Sequence, residues 1–453
     1  MAVDRSRLPV PGRTPSFTFP AIERSALASG LRVWSVRHDA IPVATVMLLI
    51  RRGAGDDPAG REGLAAITAD MLDEGTGTLS SIDVHESLAR IGAQLDTDIG
   101  PDATLLTLTV LSRFLRPAVA MLASMVVRPS LREEDFSRVR QLRLHRLMQL
   151  RDMPGAVADR AFMKLLYGAH PYGHTPLGGE ASLSAISIDD VRKFHANQLR
   201  PSDATLVVAG DCSHEEVAAA TAEAFGDWTG TAAPAVSGAA ALPAPARLNL
   251  IARAGAPQSE LRIGHVAVAR NTPDYHALVS ANMVLGGQFV SRINLNLRED
   301  KGFTYGARTS FDFRRLPGPF MLQVSVQTAA TAAAIRESMS EIAGIRDGRP
   351  VSAEELSLGV AALTRGYARN FETAEQLARA ATQLALYELP DTYFDEFVER
   401  VERVTVDDVT RVTQHYLDPS RLTTLVVGDY GVIAKDLPGL NLGMPAILAP
   451  DTF

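Results

Sequence analysis

Two side chains in the second half of the sequence have the types and the spacing to hold a carbonyl group. Arg298 lies in the last turn of a predicted helix, "VSRINLNLRED" (290–300), which Gly302 should terminate. Tyr305 then begins a predicted strand, "FTYGARTSFDF" (303–313). The turn between these elements can bring the guanidinium and the phenol onto one surface. Aimed at a scissile carbonyl, their N–H and O–H donors would stabilise the oxyanion of a tetrahedral intermediate.

The same pair also has a purely structural interpretation. In that interpretation, Arg298 forms an ion pair with a nearby acid, and Tyr305 is a half-buried aromatic residue of the strand. From the residue types alone the structural interpretation is favoured, while the spacing keeps the catalytic one open.

A segment of the first half has the layout of a metal-binding helix without the metal-binding side chains. The stretch "GLAAITADMLDEGT" (63–76) has apolar residues on one helical face and a glycine stop. The inverted zinc-protease motif, H-x-x-E-H, needs histidines at i and i+4 and a glutamate at i+3. Those three offsets hold Ala66, Asp70 and Ala69. Because an alanine methyl group has no lone pair, the sequence predicts no zinc site at this helix.

The composition of the 453 residues is that of an ordinary globular protein, with 46% hydrophobic and 21% charged residues. The net charge of −7 argues against a nucleic-acid-binding surface. The single cysteine, Cys212, excludes an internal disulfide framework and is expected to be buried. The first twenty residues contain no apolar signal-peptide core. The chain as given is therefore expected in the cytoplasm, or in the periplasm if a signal peptide was removed.

A stretch rich in alanine and proline, "TGTAAPAVSGAAALPAPA" (229–246), divides the sequence almost in half. Its three prolines predict a linker and not a membrane span. The segments that close the two halves are "SIDDVRKFHANQLRPSDATLVVAGD" (187–211) and "TVDDVTRVTQHYLDPSRLTTLVVGD" (405–429). They align without a gap at an offset of 218 residues. The chain is therefore a tandem duplication.

The predicted elements give each half the same α+β organisation. Extended apolar runs such as "DATLLTLTVL" (102–111) and "PFMLQVSVQT" (319–328) are typical of strands, and helical segments lie between such runs. Sheets with helices between their strands predict a two-layer α/β sandwich in each half. We therefore expect an N-terminal domain at 1–228, a linker at 229–247, a C-terminal domain at 248–440 and a tail at 441–453.

Several segments resemble the M16 (pitrilysin-like, inverzincin) metallopeptidase family. The zinc-helix region of that family, G-L-A-H-x-L-E-H-M-L-x-x-G-T, is matched at Gly63, Leu64, Ala65, Met71, Leu72, Gly75 and Thr76. The stretch "HPYGHTPLGG" (170–179) is similar to the family's H-P-Y-G-x-P-x-L-G loop, and "LNLREDKGFTYGA" (295–307) to its L-R-E-x-x-G-x-x-Y segment. The resemblance implies a clam-shaped fold of two tandem-duplicated α/β sandwich halves.

The resemblance also implies roles by position. Arg298 and Tyr305 match the family's arginine and tyrosine of the C-terminal half, which favours the catalytic interpretation of this pair. The family's third zinc ligand, a glutamate on a later helix, falls here on His145 or Arg146. With its ligand positions altered, this chain is expected to hold no zinc and no other cofactor.

The preferred interpretation is a subunit without zinc in a heteromeric M16-type zinc peptidase. A partner subunit with H-x-x-E-H would bring zinc and the general base, and the heterodimer would enclose a peptide substrate bound partly as an added β-strand. In that complex, Arg298 and Tyr305 would bind the substrate and stabilise the oxyanion. The alternative is a purely structural or peptide-binding subunit, like the core proteins of respiratory complexes. A mitochondrial processing peptidase α-type subunit ranks lower, because "VLGGQF" (284–289) does not reproduce its long glycine-rich loop.

Overall fold

The computed structural model describes residues 17–234, 242 and 245–449, which form two α+β halves. Each half is built on a six-stranded sheet, and this confirms the fold class predicted from the sequence. The middle of the predicted linker, at 235–241 and 243–244, lies outside the described residues. None of the described helices is both long and apolar enough to cross a membrane.

The first half, as described from residue 17 to residue 234, is a sheet covered by helices. Its strands are Ile22–Ala26 (β1), Arg32–Arg37 (β2), Val43–Ile50 (β3), Gly75–Thr76 (β4), Leu79–Ser80 (β5), Asp96–Ile99 (β6), Thr104–Leu111 (β7) and Ala204–Gly210 (β8). Its helices are Leu64–Asp70 (α1), Ser81–Arg90 (α2), Leu115–Val127 (α3), Glu133–Arg151 (α4), Pro154–Tyr167 (α5), Glu180–Ala185 (α6), Ile188–Gln198 (α7) and His214–Phe225 (α8). The first sheet has the order β1-β2-β8-β3-β7-β6, while β4 and β5 form a separate hairpin.

The second half, as described from residue 245 to residue 449, has the same kind of organisation. Its strands are Leu248–Ala252 (β9), Gln258–Val268 (β10), Ala307–Phe311 (β11), Gly318–Gln327 (β12), Thr423–Gly428 (β13) and Ala446–Leu448 (β14). Its helices are Tyr275–Asn282 (α9), Arg292–Asn294 (α10), Thr331–Ala343 (α11), Ala353–Thr364 (α12), Ala374–Tyr387 (α13), Tyr393–Glu402 (α14), Val406–Tyr416 (α15) and Tyr430–Ile433 (α16). π-helical turns at Met283–Gly287, Leu295–Asp300 and Gly344–Gly348 extend α9, α10 and α11. The second sheet has the order β11-β12-β10-β13-β9-β14.

The two sheets share one strand order, as a duplication predicts. β6, β7, β3, β8 and β2 of the first sheet correspond to β11, β12, β10, β13 and β9 of the second. The sixth position differs, because β1 pairs antiparallel with β2 whereas β14 pairs parallel with β9. The predicted tail at 441–453 therefore includes an edge strand of the second sheet, at Ala446–Leu448. A strand of three residues has too little alternation to be recognised from the sequence.

Each sheet is covered on one face by helices of its own half and on the other face by a helix of the opposite half. The strands β8 and β13 are buried along their whole length, so both faces of each sheet need an apolar cover. The helix α5 of the first half packs against β10 and β13 of the second sheet. There, Phe162 and Leu166 join one apolar cluster with Leu425 and Val427. Conversely, the helix α13 of the second half packs against β3 and β8 of the first sheet. Since α5 and α13 occupy equivalent places in the duplication, this helix exchange is reciprocal.

Candidate functional site

Tyr305 lies in a bend between the helical turn that carries Arg298 and the strand β11. Gly302, with φ of +64°, ends the helical turn in the left-handed conformation, as the sequence predicts. The strand begins at Ala307, however, so the prediction that Tyr305 belongs to the strand is wrong. Its side chain is 94% exposed, and no group in the described part of the chain hydrogen-bonds to its phenol. The expectation of a half-buried strand aromatic is therefore also wrong.

Arg298 is held by contacts on its own helical turn and on the loop before it. Its guanidinium carbon lies 4.1 Å from the centre of the Phe289 ring, at cation–π distance. Its Nη1 atom is 3.4 Å from a carboxylate oxygen of Glu299. That nitrogen is buried and has no hydrogen-bond partner among the described residues. The ion pair of the structural interpretation is thus present, but it is not accompanied by a hydrogen bond from Nη1 to any described residue.

A cavity of about 530 Å³ lies beside Tyr305 and Arg298. Tyr305 and Phe289 both line this cavity, and Arg298 stacks on the ring of Phe289 from outside the lining. The remaining walls are polar groups on β10, β11 and β12, among them Glu260, Arg262, Arg308, Gln323 and Ser325. The structure therefore places Tyr305 on the cavity and Arg298 next to its wall.

Asn294 fixes the start of β11, two residues after Tyr305. The backbone N–H of Ala307 donates to Asn294 Oδ1 at 2.9 Å, and Asn294 Nδ2 donates to the Ala307 carbonyl at 2.7 Å. The side chain of Asn294 thereby takes the place of a neighbouring strand at this residue. This positioning residue could not be predicted from the sequence, since an asparagine inside a predicted helix gives no signal of a partner 13 residues away.

The altered zinc helix, α1, has apolar side chains where the family has a metal ligand and a base. Ala66 and Ala69 are buried. Asp70 Oδ2 accepts a hydrogen bond of 2.7 Å from Nε of Arg143, which lies on α4. A guanidinium therefore faces the residue that stands at the position of the second histidine.

The third ligand position of the family is predicted to fall on His145 or Arg146 of α4. Both side chains are exposed, and Nε2 of His145 contacts the side-chain amide of Gln141 at 3.0 Å. Arg143 instead shares the inward face of α4 with Val139 and Leu147, which are buried at the helical spacing of four residues. The helical phase of α4, and not the residue count, decides which side chain faces α1.

The residues around α1 do not fit a zinc ion. Two of the three motif positions are methyl groups, and the third is a carboxylate already paired with a cation. Within residues 17–234 and 245–449, no group of three or more His, Cys, Asp and Glu side chains is placed to hold a metal ion. No step that depends on zinc can therefore be assigned to the side chains that the structure describes.

A buried aspartate preserves the position of α1 despite these substitutions. The Asp57 carboxylate accepts hydrogen bonds from the backbone N–H groups of Gly63 at 2.7 Å and Ala65 at 2.6 Å. Its Oδ2 also lies 3.1 Å from Nε2 of His174. Gly63 has φ of +100°, and a Cβ atom there would lie 3.0 Å from the carbonyl oxygen of Leu177. The helix is therefore anchored as a structural element, with a glycine required at the residue that precedes it.

Comparisons with known proteins agree with this architecture. The family profile described as "Insulinase (Peptidase family M16)" matches residues 32–178, and the profile "Peptidase M16 inactive domain" matches residues 185–363. The chain is 24% identical over 428 residues to an uncharacterized zinc protease of Mycobacterium bovis, covering 93% of this chain and 97% of the relative.

Two solved structures share the fold. One is a protease from Helicobacter pylori, with a TM-score of 0.84 and 19% identity, covering 90% of this chain and 99% of the other. The second is a peptidase M16 inactive domain from Pseudomonas fluorescens, with a TM-score of 0.81 and 23% identity, covering 90% of this chain and 98% of the other. Together the two profiles account for nearly all of residues 32–363. The chain therefore belongs to the M16 peptidase family.

Proposed function

We propose that this chain is the subunit without zinc of a heteromeric M16-type peptidase. In this proposal, a partner subunit with an intact H-x-x-E-H helix binds zinc and activates water. This chain supplies Arg298 and Tyr305 to the peptide substrate in the partner's active site. The family membership and the altered positions Ala66, Ala69 and Asp70 support the division of labour.

The observation that carries the proposal is the exposure of Tyr305. Its phenol is 94% exposed and has no hydrogen-bond partner among the described residues, while the strand that follows is fixed by Asn294. A side chain held at its base and free at its tip contributes little to folding. It is suited to contact a group outside the chain.

The two side chains would act on the substrate in different ways. The Tyr305 O–H would donate to the carbonyl oxygen as negative charge develops on it, and would stabilise the oxyanion of the tetrahedral intermediate. The Arg298 guanidinium, whose side chain is partly exposed, would donate to a neighbouring peptide carbonyl and hold the ground state as well. The zinc ion and the activated water of the partner subunit would carry out the cleavage of the peptide bond.

A second candidate function is a structural or peptide-binding subunit without a role in catalysis. The contacts of Arg298 with Phe289 and Glu299 favour it, because they give the guanidinium a role inside the chain. Tyr305 distinguishes the two candidate functions, since its exposed phenol has no hydrogen-bond partner within the described chain.

The decisive experiment is the kinetics of Tyr305→Phe in a complex with the partner that keeps H-x-x-E-H. We expect intact assembly by size exclusion and a kcat lowered about tenfold or more, because loss of one oxyanion donor typically costs about 10²–10³ in kcat. Tyr430→Phe is the matched control, since Tyr430 is another exposed tyrosine without a side-chain hydrogen bond in the described residues. Unchanged kcat in Tyr305→Phe would favour the structural subunit.

A further inference from the structure

A cavity of about 190 Å³ lies in the first half, between α5 and the loop that leads to α6. Two cationic side chains of α5, Arg160 and Lys164, line it one helical turn apart. Thr175, His174, Gly178 and Gly179 also line it. We call this space the Arg160 cavity.

The positive charge of Arg160 has no counter-charge inside the described chain. Its Nη2 donates to the carbonyl oxygen of Gly178 at 3.1 Å. No carboxylate in residues 17–234 or 245–449 lies within ion-pair distance of its guanidinium. Partial burial and the nearby charge of Arg151 lower the pKa of Arg160. Lys164 likewise forms no ion pair with any residue that the structure describes.

The acidic and titratable groups around the cavity are engaged elsewhere. Glu62 lines the cavity, but its carboxylate accepts from the backbone N–H of Gly60 and pairs with neither cation in the described part of the chain. Glu180 pairs with Arg151. His174 contacts the Ala54 carbonyl and Asp57. Two cations thus face the cavity, with one carboxylate that does not reach them.

We infer that the Arg160 cavity binds an oxyanion of the size of a carboxylate or a phosphate group. A half-buried guanidinium without a counter-charge favours an anion from solution, and its planar donor fork matches the two oxygens of such a group. Lys164 adds a second charge, and the Thr175 hydroxyl adds a donor. Two kinds of ligand carry such a group: a peptide with a free C-terminal carboxylate, and a free inorganic oxyanion.

Calorimetric titration of the full chain alone, at low ionic strength, tests the inference without any partner subunit. The probes are inorganic phosphate, trialanine and trialanine amide, which lacks the carboxylate. Saturable binding of phosphate or trialanine is expected. Trialanine binding without amide binding identifies a peptide carboxylate as the source, and phosphate binding alone identifies an inorganic oxyanion. Since the probes need no peptidase activity, the result is independent of the function proposed for Tyr305.

Three variants locate the site. Arg160→Gln should raise the Kd of the bound probe about tenfold or more, because it removes a charged donor. Lys164→Gln changes an exposed side chain that does not support folding, and should raise the Kd about two- to fivefold. Arg146→Gln removes the same charge from the exposed face of α4 and should leave the Kd unchanged. Absence of saturable binding for all probes, or a Kd that neither cavity variant alters, would overturn the inference.

Discussion

Arg143 places a positive charge directly against Asp70, the residue at the position of the second histidine of the zinc motif. The ion pair joins α1 to α4, with the Arg143 side chain 12% exposed and that of Asp70 36% exposed. A divalent cation approaching this part of α1 would meet a guanidinium and two methyl groups. Restoring the motif on α1 alone would leave the guanidinium in place.

We therefore expect the triple variant Ala66→His, Ala69→Glu, Asp70→His to bind no stoichiometric zinc and to cleave no peptide. The two histidines would face the charge of Arg143, and α4 would offer no third ligand. Metal analysis after incubation with zinc, together with a peptide cleavage assay, checks this expectation.

Adding Arg143→Glu to the triple variant provides the informative control. The change replaces a repelling cation by a carboxylate, so the quadruple variant should bind zinc more tightly than the triple variant. One tightly bound zinc ion per chain in the triple variant would show that Arg143 does not govern this site.

Arg298→Ala should affect the kinetics of the complex differently from Tyr305→Phe. A guanidinium that holds a neighbouring carbonyl contributes to ground-state binding, so KM should rise at least about threefold and kcat should fall as well. Arg308→Ala is the matched control, because Arg308 lines the cavity next to which Arg298 lies, and donates a hydrogen bond to Gln323. Equal effects of the two alanine variants would assign the result to the general charge of the cavity and not to Arg298.

At the residue scale, the sequence predicts well which residue stands at a motif position, and poorly where its side chain points. The substituted motif positions on α1 and the glycine stop at Gly302 follow from local pattern alone. The exposure of Tyr305 and the orientation of Arg143 depend on where a strand begins and on the phase of a helix. A shift of two residues in the start of the strand or in the phase of the helix changes which side chain is exposed and which one faces α1.

At the scale of elements, an ion pair fixes the helical segment that carries Arg298. Arg292, at the start of that segment, donates to both carboxylate oxygens of Glu355 on α12, at 2.6 and 2.7 Å. It also donates to the carbonyl oxygens of Arg349 and Pro350. Hydrogen bonds from Arg292 lower the pKa of Glu355 to about 2, from an ordinary value of 4.5.

This pKa shift predicts acid sensitivity with a defined sign. Because the folded-state pKa lies below the unfolded one, the stabilisation is fully present above about pH 4.5 and is lost as the pH falls towards 2. Glu355→Gln should lower the free energy of unfolding at pH 7 by about 1 kcal/mol or more, a figure that allows for screening at a partly exposed carboxylate. It should also flatten the pH dependence between 4.5 and 2.

Urea unfolding at pH 7, 4.5 and 3 measures both effects. Glu354→Gln is the matched control, since Glu354 is the preceding residue of α12, is exposed, and has no partner among the described residues. An unchanged pH dependence in Glu355→Gln would mean that other carboxylates dominate acid unfolding.

The elements themselves were largely predictable, whereas their irregular parts were not. Apolar alternation and capping residues mark the strands and helices of both halves, including α7 and α15. The π-helical turn at Leu295–Asp300 and the strand β14 have no such mark. Both depend on contacts with residues far away in the sequence.

At the scale of the whole molecule, the helix exchange makes the two halves depend on each other. α13 covers the first sheet and α5 covers the second, so separating the halves would expose the apolar faces of both sheets. Burial of such faces provides much of the free energy of folding. No pattern in the sequence indicates the exchange, because α5 and α13 are as amphipathic as helices that stay within their own half.

A chain cut within residues 235–241 should therefore remain assembled. After cleavage at an inserted protease site, both fragments should elute together in gel filtration and separate only in denaturant. The uncut chain and the cut chain with Leu377→Asp on α13 are the controls, and the latter should dissociate more readily. Fragments that separate in native buffer, each with a folded sheet, would contradict the exchange.

The reciprocal exchange also bears on the origin of the chain. Two copies of one fold that trade an equivalent helix have the pattern of a domain-swapped homodimer, in which each subunit lends the same element to its twin across a two-fold axis. Gene fusion of such a dimer, with a linker joining the end of one copy to the start of the next, yields the present arrangement. After fusion the copies were free to diverge, and the duplicated ends now differ, with β1 at one sheet edge and β14 at the other.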